Sequence, residues 1–169
     1  ASFRHDLDLH VAISKLKLKF LASPEALIHG DLHTGSIMVT QDETRVIDPE
    51  FAFYGPMGFD IGAIIANLLM AYLASAGHER VPGDRAAFDA WVLETVEGVW
   101  IEFARKFLAL WRSEARGDGY PVSLFPGEAG AVRLETERQA YMARLFQDTV
   151  GFAAAKTIRR ILGLAHNLD

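Results

Sequence analysis

Residues 59–74 constrain the fold of this chain most. Ile61, Ile64, Ile65, Leu68, Leu69, Met70 and Leu73 recur so closely that a helix built from them is apolar nearly all round. Such a helix needs neighbours on every side, which places it in the middle of a helical bundle. The apolar run at 61–76 contains Asn67 and falls short of the roughly 20 residues that span a bilayer, so the helix is expected inside a globular core and not in a membrane. Asp60 sits in its first turn, where a carboxylate accepts hydrogen bonds from unpaired backbone N–H groups and suits the helix dipole.

The other segments are ordinary partners for such a core. Leu9, Ile13, Leu16 and Phe20 form one stripe, with Lys15, Lys17 and Lys19 largely off it, and predict an amphipathic helix over 6–21. Pro24 stops it. From Asp84, a good N-cap, a long helical pattern carrying Phe88, Val92, Val99, Phe103 and Phe107 runs to about Arg116, with Gly98 as the place for a bend. A loop over 117–130 leads to two further helices, expected at 131–148 and 149–164. With 169 residues, half of them hydrophobic, the chain is long enough for one domain with a real core, and no repeat or linker divides it.

A different pattern precedes the apolar helix. Residues 29–50 hold His29, Asp31, His33, Asp48 and Glu50, and between them lie two short apolar runs, 37–39 and 46–47, around the polar segment 41–44. That alternation predicts a β-hairpin, which brings the start of its first strand beside the end of its second. The loop with Asp31 and Ser36 is thereby set next to the loop with Asp48 and Glu50. Oxygen donors of this kind suit a hard cation such as Mg2+, which accompanies phosphates. Asp31 is left to act as a base towards a hydroxyl. Taken singly, each acid reads as a turn cap or a surface charge. Gathered at one hairpin mouth, they read as a metal-assisted site.

Composition removes several other functions. A net charge of −5 argues against a nucleic-acid partner, and the absence of cysteine excludes disulfides and thiolate metal sites. The first residues lead into a charged amphipathic pattern, unlike the apolar centre of a signal peptide, so a cytoplasmic protein is expected.

The motifs carry a resemblance. His29-Gly-Asp31-Leu-His33-Thr-Gly-Ser36 resembles the catalytic loop of protein-kinase-like phosphotransferases, and Asp48-Pro-Glu50 stands where protein kinases have Asp-Phe-Gly. Together with Phe51-Ala52, Gly55-Pro-Met-Gly-Phe-Asp-Ile-Gly62 and Lys156-Thr-Ile-Arg159-Arg160-Ile-Leu-Gly-Leu-Ala-His166, the wording is similar to the 5-methylthioribose kinase family over residues 27–166. The resemblance implies a mainly α fold with a small β-hairpin, the C-terminal lobe of a protein-kinase-like fold. It implies ATP and Mg2+ as cofactors, a sugar substrate phosphorylated on its 1-hydroxyl, and a place in methionine salvage. Carried over by position, Asp31 would orient or deprotonate the hydroxyl. Asp48 and Glu50 would hold Mg2+, with Ser36 a weaker metal contact where the wider superfamily has Asn. Arg159 and Arg160 would contact the sugar or the transferring group. On charge alone, the two arginines read as a solvated helix end rather than a site. Asp60 would brace the catalytic loop and His29 would orient it, while His33 has no implied role.

The glycine-rich loop and phosphate-binding Lys of such kinases belong to an N-terminal lobe, and no such pattern precedes Asp31. The expectation is therefore a single-domain C-terminal lobe over 1–169, inactive without its nucleotide-binding partner lobe. Its uncovered apolar face would make a homodimer plausible. Alternatives remain open at this point: an aminoglycoside or choline kinase of the same fold, a metallophosphoesterase suggested by Gly30-Asp31-Leu32-His33, or a non-catalytic interaction module.

Overall fold

The computed structural model describes residues 3–114 and 119–162. It contains four helices, α1 (Leu7–Ala22), α2 (Met57–Ser75), α3 (Ala86–Glu114) and α4 (Gly127–Leu162), and four short strands, β1 (Ala26–Ile28), β2 (Ile37–Val39), β3 (Thr44–Val46) and β4 (Phe53–Gly55). The expected ends of the third helix at Arg116 and the last at residue 164 lie outside the described residues, as do the start of the loop at Gly117 and His166.

Helix α2 is the centre. Ile61, Ala63, Ile64, Ile65, Ala66, Leu68 and Met70 are buried on successive faces. Helix α3 covers one side through Val92, Val96, Val99, Trp100 and Phe103. Helix α4 covers another at very close range. A Cβ at Gly62 would lie 2.5 Å from the Thr149 carbonyl oxygen and 2.8 Å from the Ala153 nitrogen, so only glycine permits this approach. With its following turn, the α2 stretch Met57–His78 spans 22 residues at a mean hydropathy of 1.6, so by length and composition it is apolar enough to cross a membrane. This corrects the expected shortfall in length. More than half of the segment is nonetheless covered by the rest of the fold, as befits a core helix.

Helix α1 starts where the Asp6 carboxylate accepts a hydrogen bond from the Leu9 N–H at 2.9 Å. It packs at the edge. Phe20 meets Phe53 and Phe59 at 5.1 and 5.0 Å between ring centroids, and Lys19 pairs with Asp148 of α4.

Three expectations are corrected. The two final helices are one continuous helix of 36 residues, because Thr149-Val150-Gly151 packs instead of breaking the ladder. The Thr149 hydroxyl donates to the Leu145 carbonyl at 2.8 Å, and the missing side chain of Gly151 makes room for Leu16 of α1. Helix α3 begins at Ala86, two residues past the expected cap, while Asp84 accepts from the Arg80 N–H. The segment after the hairpin is not all loop: β4 pairs antiparallel with β1, Ala26 opposite Gly55 and Ile28 opposite Phe53, forming a second two-stranded sheet. The hairpin itself pairs Ile37 with Val46 and Val39 with Thr44.

Candidate active site

The two small sheets set the ends of the 29–50 segment. Strand β1 delivers His29 directly from its last residue, the buried Ile28, and β4 leads straight into the first turn of α2. Asp60 in that turn is buried, and its carboxylate accepts from the His29 N–H at 2.5 Å and from the Gly30 N–H at 3.2 Å. Gly30 adopts φ +84, a left-handed conformation, and a Cβ there would collide with the Phe51 carbonyl 2.2 Å away. The turn before Asp31 is thus fixed from both sides.

The His29 imidazole ties the two loops together. Nε2 donates to the Ile47 carbonyl at 2.8 Å, and Nδ1 accepts a long hydrogen bond from the Asp31 N–H at 3.4 Å, which together define the Nε2–H tautomer. The Ile47 N–H in turn donates to the Ser36 carbonyl at 2.9 Å. One ring therefore links the backbone of Asp31 to the residue preceding Asp48.

Asp31 is partly exposed. Its Oδ1 accepts from Lys156 Nζ of α4 at 3.0 Å. That hydrogen bond holds the Asp31 carboxyl below its usual range; partial burial opposes it, and the charges of Lys156, His33 and Arg159 add to the lowering. Asp48, Glu50, Arg159 and Arg160 are exposed. Asp48 has φ +65, an uncommon conformation that Asp tolerates better than most residues, and the Ala52 N–H closes the following turn onto the Pro49 carbonyl at 3.0 Å. Ser36 is buried, and its carbonyl is tied to Ile47, the residue before Asp48. His33 caps a short 3-10 turn and lies over Gly35.

No three His, Asp or Glu side chains converge as a preformed metal cage among the described residues. Mg2+ does not need one. It is commonly bound by one or two carboxylates together with substrate phosphates and water, and the exposed Asp48 and Glu50 fit that donor set. A separate pocket of about 670 Å3, lined by Ile65, Trp100, Phe146 and Val150 among others, contains none of the site acids. Its apolar wall does not suit a phosphate.

The sequence profile of a phosphotransferase enzyme family matches residues 4–97, more than half of the chain. The chain belongs to that family. The fold of these phosphotransferases is protein-kinase-like, and the mainly helical architecture with a small antiparallel β part fits it. Among curated relatives, this phosphotransferase chain is 49% identical over its whole length to methylthioribose kinase 1 of Oryza sativa subsp. japonica, covering 39% of that protein. It is 39% identical over 95% of its length to methylthioribose kinase of Escherichia coli O45:K1 (strain S88 / ExPEC), covering 38% of it. With methylthioribose kinase of Geobacillus kaustophilus (strain HTA426) the values are 43%, 95% and 35%. The chain thus spans about two fifths of the length of the curated relatives it matches.

Within this phosphotransferase fold the structure ties His29, Asp31, Ser36, Ile47 and Asp60 into one network and adds a residue that sequence reasoning left without a role, Lys156. Its place beside the two arginines in the matching segment was the available signal. Nothing local marks its partner, 125 residues earlier in the chain.

Proposed function

We propose that this chain is the catalytic-loop lobe, a single domain, of an ATP-dependent kinase that phosphorylates the 1-hydroxyl of 5-methylthioribose. The observation that carries the reading is the Asp31 loop. Asp60 fixes its backbone and His29 ties it to the Asp48–Glu50 turn, in a chain that aligns along nearly its whole length with kinases named for that sugar.

Phosphoryl transfer asks little covalent work of a protein; positioning and charge neutralisation do most of it. Asp31 accepts the hydrogen bond of the acceptor hydroxyl and orients its oxygen. As that oxygen bonds to the γ-phosphorus, the bond from γ-phosphorus to the bridging oxygen breaks, ADP leaves, and the hydroxyl proton passes to Asp31. A carboxyl held below its usual range is a weak base, so it takes the proton late, after bond formation is advanced. Asp48 and Glu50 would hold Mg2+, which would supply charge neutralisation for the phosphate oxygens. Ser36 is the weaker contact, since it is buried. Arg159 and Arg160 engage the sugar or the transferring group, and Arg159 is near enough to act on Asp31. The glycine-rich loop and its Lys belong to a nucleotide-binding lobe outside this chain, and the natural setting is the cytoplasm, in methionine salvage.

A substrate panel with the full-length protein tests this. ATP-dependent phosphorylation of methylthioribose, and not of aminoglycosides or choline, is the expected result. Phosphorylation of one of the others instead reassigns the substrate within the same family. The 169-residue chain alone should turn over far more slowly than the full-length protein, and equal rates would remove the lobe reading.

A further inference from the structure

We infer that Lys156 is a positioning residue for the acceptor hydroxyl: its ammonium grips Oδ1 of Asp31 and leaves Oδ2 as the oxygen that meets the substrate. The inference rests on the proposed function above, because it takes Asp31 as the group that receives the hydroxyl.

Three observations support it. The hydrogen bond is well formed at 3.0 Å, and among the described residues Oδ2 takes no hydrogen bond. The ammonium is the sheltered member of the pair, since the Lys156 side chain is 17% exposed and that of Asp31 45%. A sheltered ammonium needs an anion, and Asp31 is the one it is paired with. The ammonium also has a second neighbour. Nζ lies 5.8 Å from the centroid of the Phe59 ring, within reach of a cation–π attraction, and Phe59 immediately precedes Asp60. One turn of α2 therefore fixes the backbone before Asp31 through Asp60 and shelves the cation that fixes its carboxylate through Phe59.

A carboxylate on a free loop rotates about its terminal bond, presenting either oxygen. With Oδ1 committed to Lys156 and the loop backbone held by Asp60 and His29, the remaining oxygen has one direction. Displacing a reacting group by 1 Å costs on the order of a hundredfold in rate, which is the scale on which such a grip matters. The other charged and titratable groups around Asp31 are Arg159 on α4, His29 and His33 on its own loop, and Asp60 on α2, whose carboxylate is engaged with backbone N–H groups.

The test compares Lys156→Met, Lys156→Arg and Asp31→Asn in the full-length protein, with ATP and methylthioribose, from pH 3 to 8. Lys156→Met should lower kcat about ten- to a hundredfold and leave KM for ATP unchanged. Loss of the cation should also move the acid limb of kcat/KM to higher pH. Lys156→Arg, which keeps a donor and a charge, should recover most of the rate. If Lys156→Met stays within about twofold of the wild type with its acid limb unmoved, while Asp31→Asn is inactive, the role of Lys156 is overturned and the reading of Asp31 stands. Equal losses in the Met and Arg variants with no change in the pH profile would make the pair a structural tie and overturn the inference as well. If Asp31→Asn retains full turnover, both readings fall. Should Lys156→Met not fold by circular dichroism, Lys156→Gln against Lys156→Arg carries the same comparison.

Discussion

Two acid-bearing loops stand side by side at the mouth of the β2–β3 hairpin, and they are held in opposite ways. Around Asp31 nearly every polar group is engaged: the preceding amides on Asp60, its own amide on His29, one carboxylate oxygen on Lys156. Asp48 and Glu50 are exposed, and their turn is held to the other loop through Ile47, which bonds both His29 and Ser36. On the proposed reading, the difference separates two kinds of ligand. An acceptor hydroxyl must meet a fixed direction, and preorganisation lowers the cost of orienting it. A hydrated cation arriving with phosphates needs accessible oxygens and room for water.

That contrast can be broken most decisively at Asp31. In the full-length protein Asp31→Asn should lower kcat by roughly 10²–10⁴-fold while KM for ATP stays near the wild-type value. A loss of nucleotide affinity instead would make the Asp31 loop part of the metal side. Next in size is the support beneath it. Asp60→Ala leaves two part-buried backbone N–H groups without their acceptor, and at the low end of about 1–3 kcal/mol for each such donor the protein should lose about 2 kcal/mol in urea melts. A loss below about 0.5 kcal/mol would mean that the loop holds its own shape. Asp48→Asn is smaller again. Asparagine also tolerates the left-handed backbone, so the change isolates the charge. It should raise the Mg2+ concentration for half-maximal rate about tenfold with little change in melting temperature. An unchanged Mg2+ requirement would remove Asp48 from the metal.

The smallest effect lies away from the site, where Glu135 joins α4 to Arg112 of α3. The hydrogen bond from Arg112 is the main reason its carboxyl is held down at about 2, helped by Gln139 and opposed by partial burial. A depressed carboxyl stabilises the fold above its unfolded value of 4.5, and the contribution is lost as pH falls from there towards about 2. The pair is more than a third exposed, so Glu135→Gln should cost less than about 1 kcal/mol at pH 7 and still less near pH 2.5 in urea melts. A larger cost at the lower pH would reverse the sign of this linkage.

How much of this was legible in the residues differs from element to element. The hairpin was readable because β-branched runs flanked a polar turn, and α2 because no face of it was polar. The second sheet was hidden: β1 and β4 have three residues each, too few for a period, and Gly55-Pro56 reads as a turn. Thr149-Val150-Gly151 looked like a helix end, since each residue lowers helix propensity. Only the neighbours, Leu16 and the α2 glycines, show it to be a contact surface. At the site, Asp31, Asp48 and Glu50 stood out by their density in sequence. Lys156 did not, because a single Lys in a helix ordinarily reads as solvated and its partner comes from tertiary packing.

The absence of a side chain at Gly62 has a mechanical consequence. Helix α4 is a rod of about 54 Å pressed backbone to backbone on α2 near Thr149 and Ala153, and a clamped rod is most accurately placed close to its clamp. Lys156 lies less than one turn beyond Ala153, whereas Arg159 and Arg160 lie about two turns out, in the last turn of the helix. A contact so near the clamp fixes the Lys156 ammonium relative to α2 more closely than a position farther along the rod, and it is there that α4 meets the Asp31 loop.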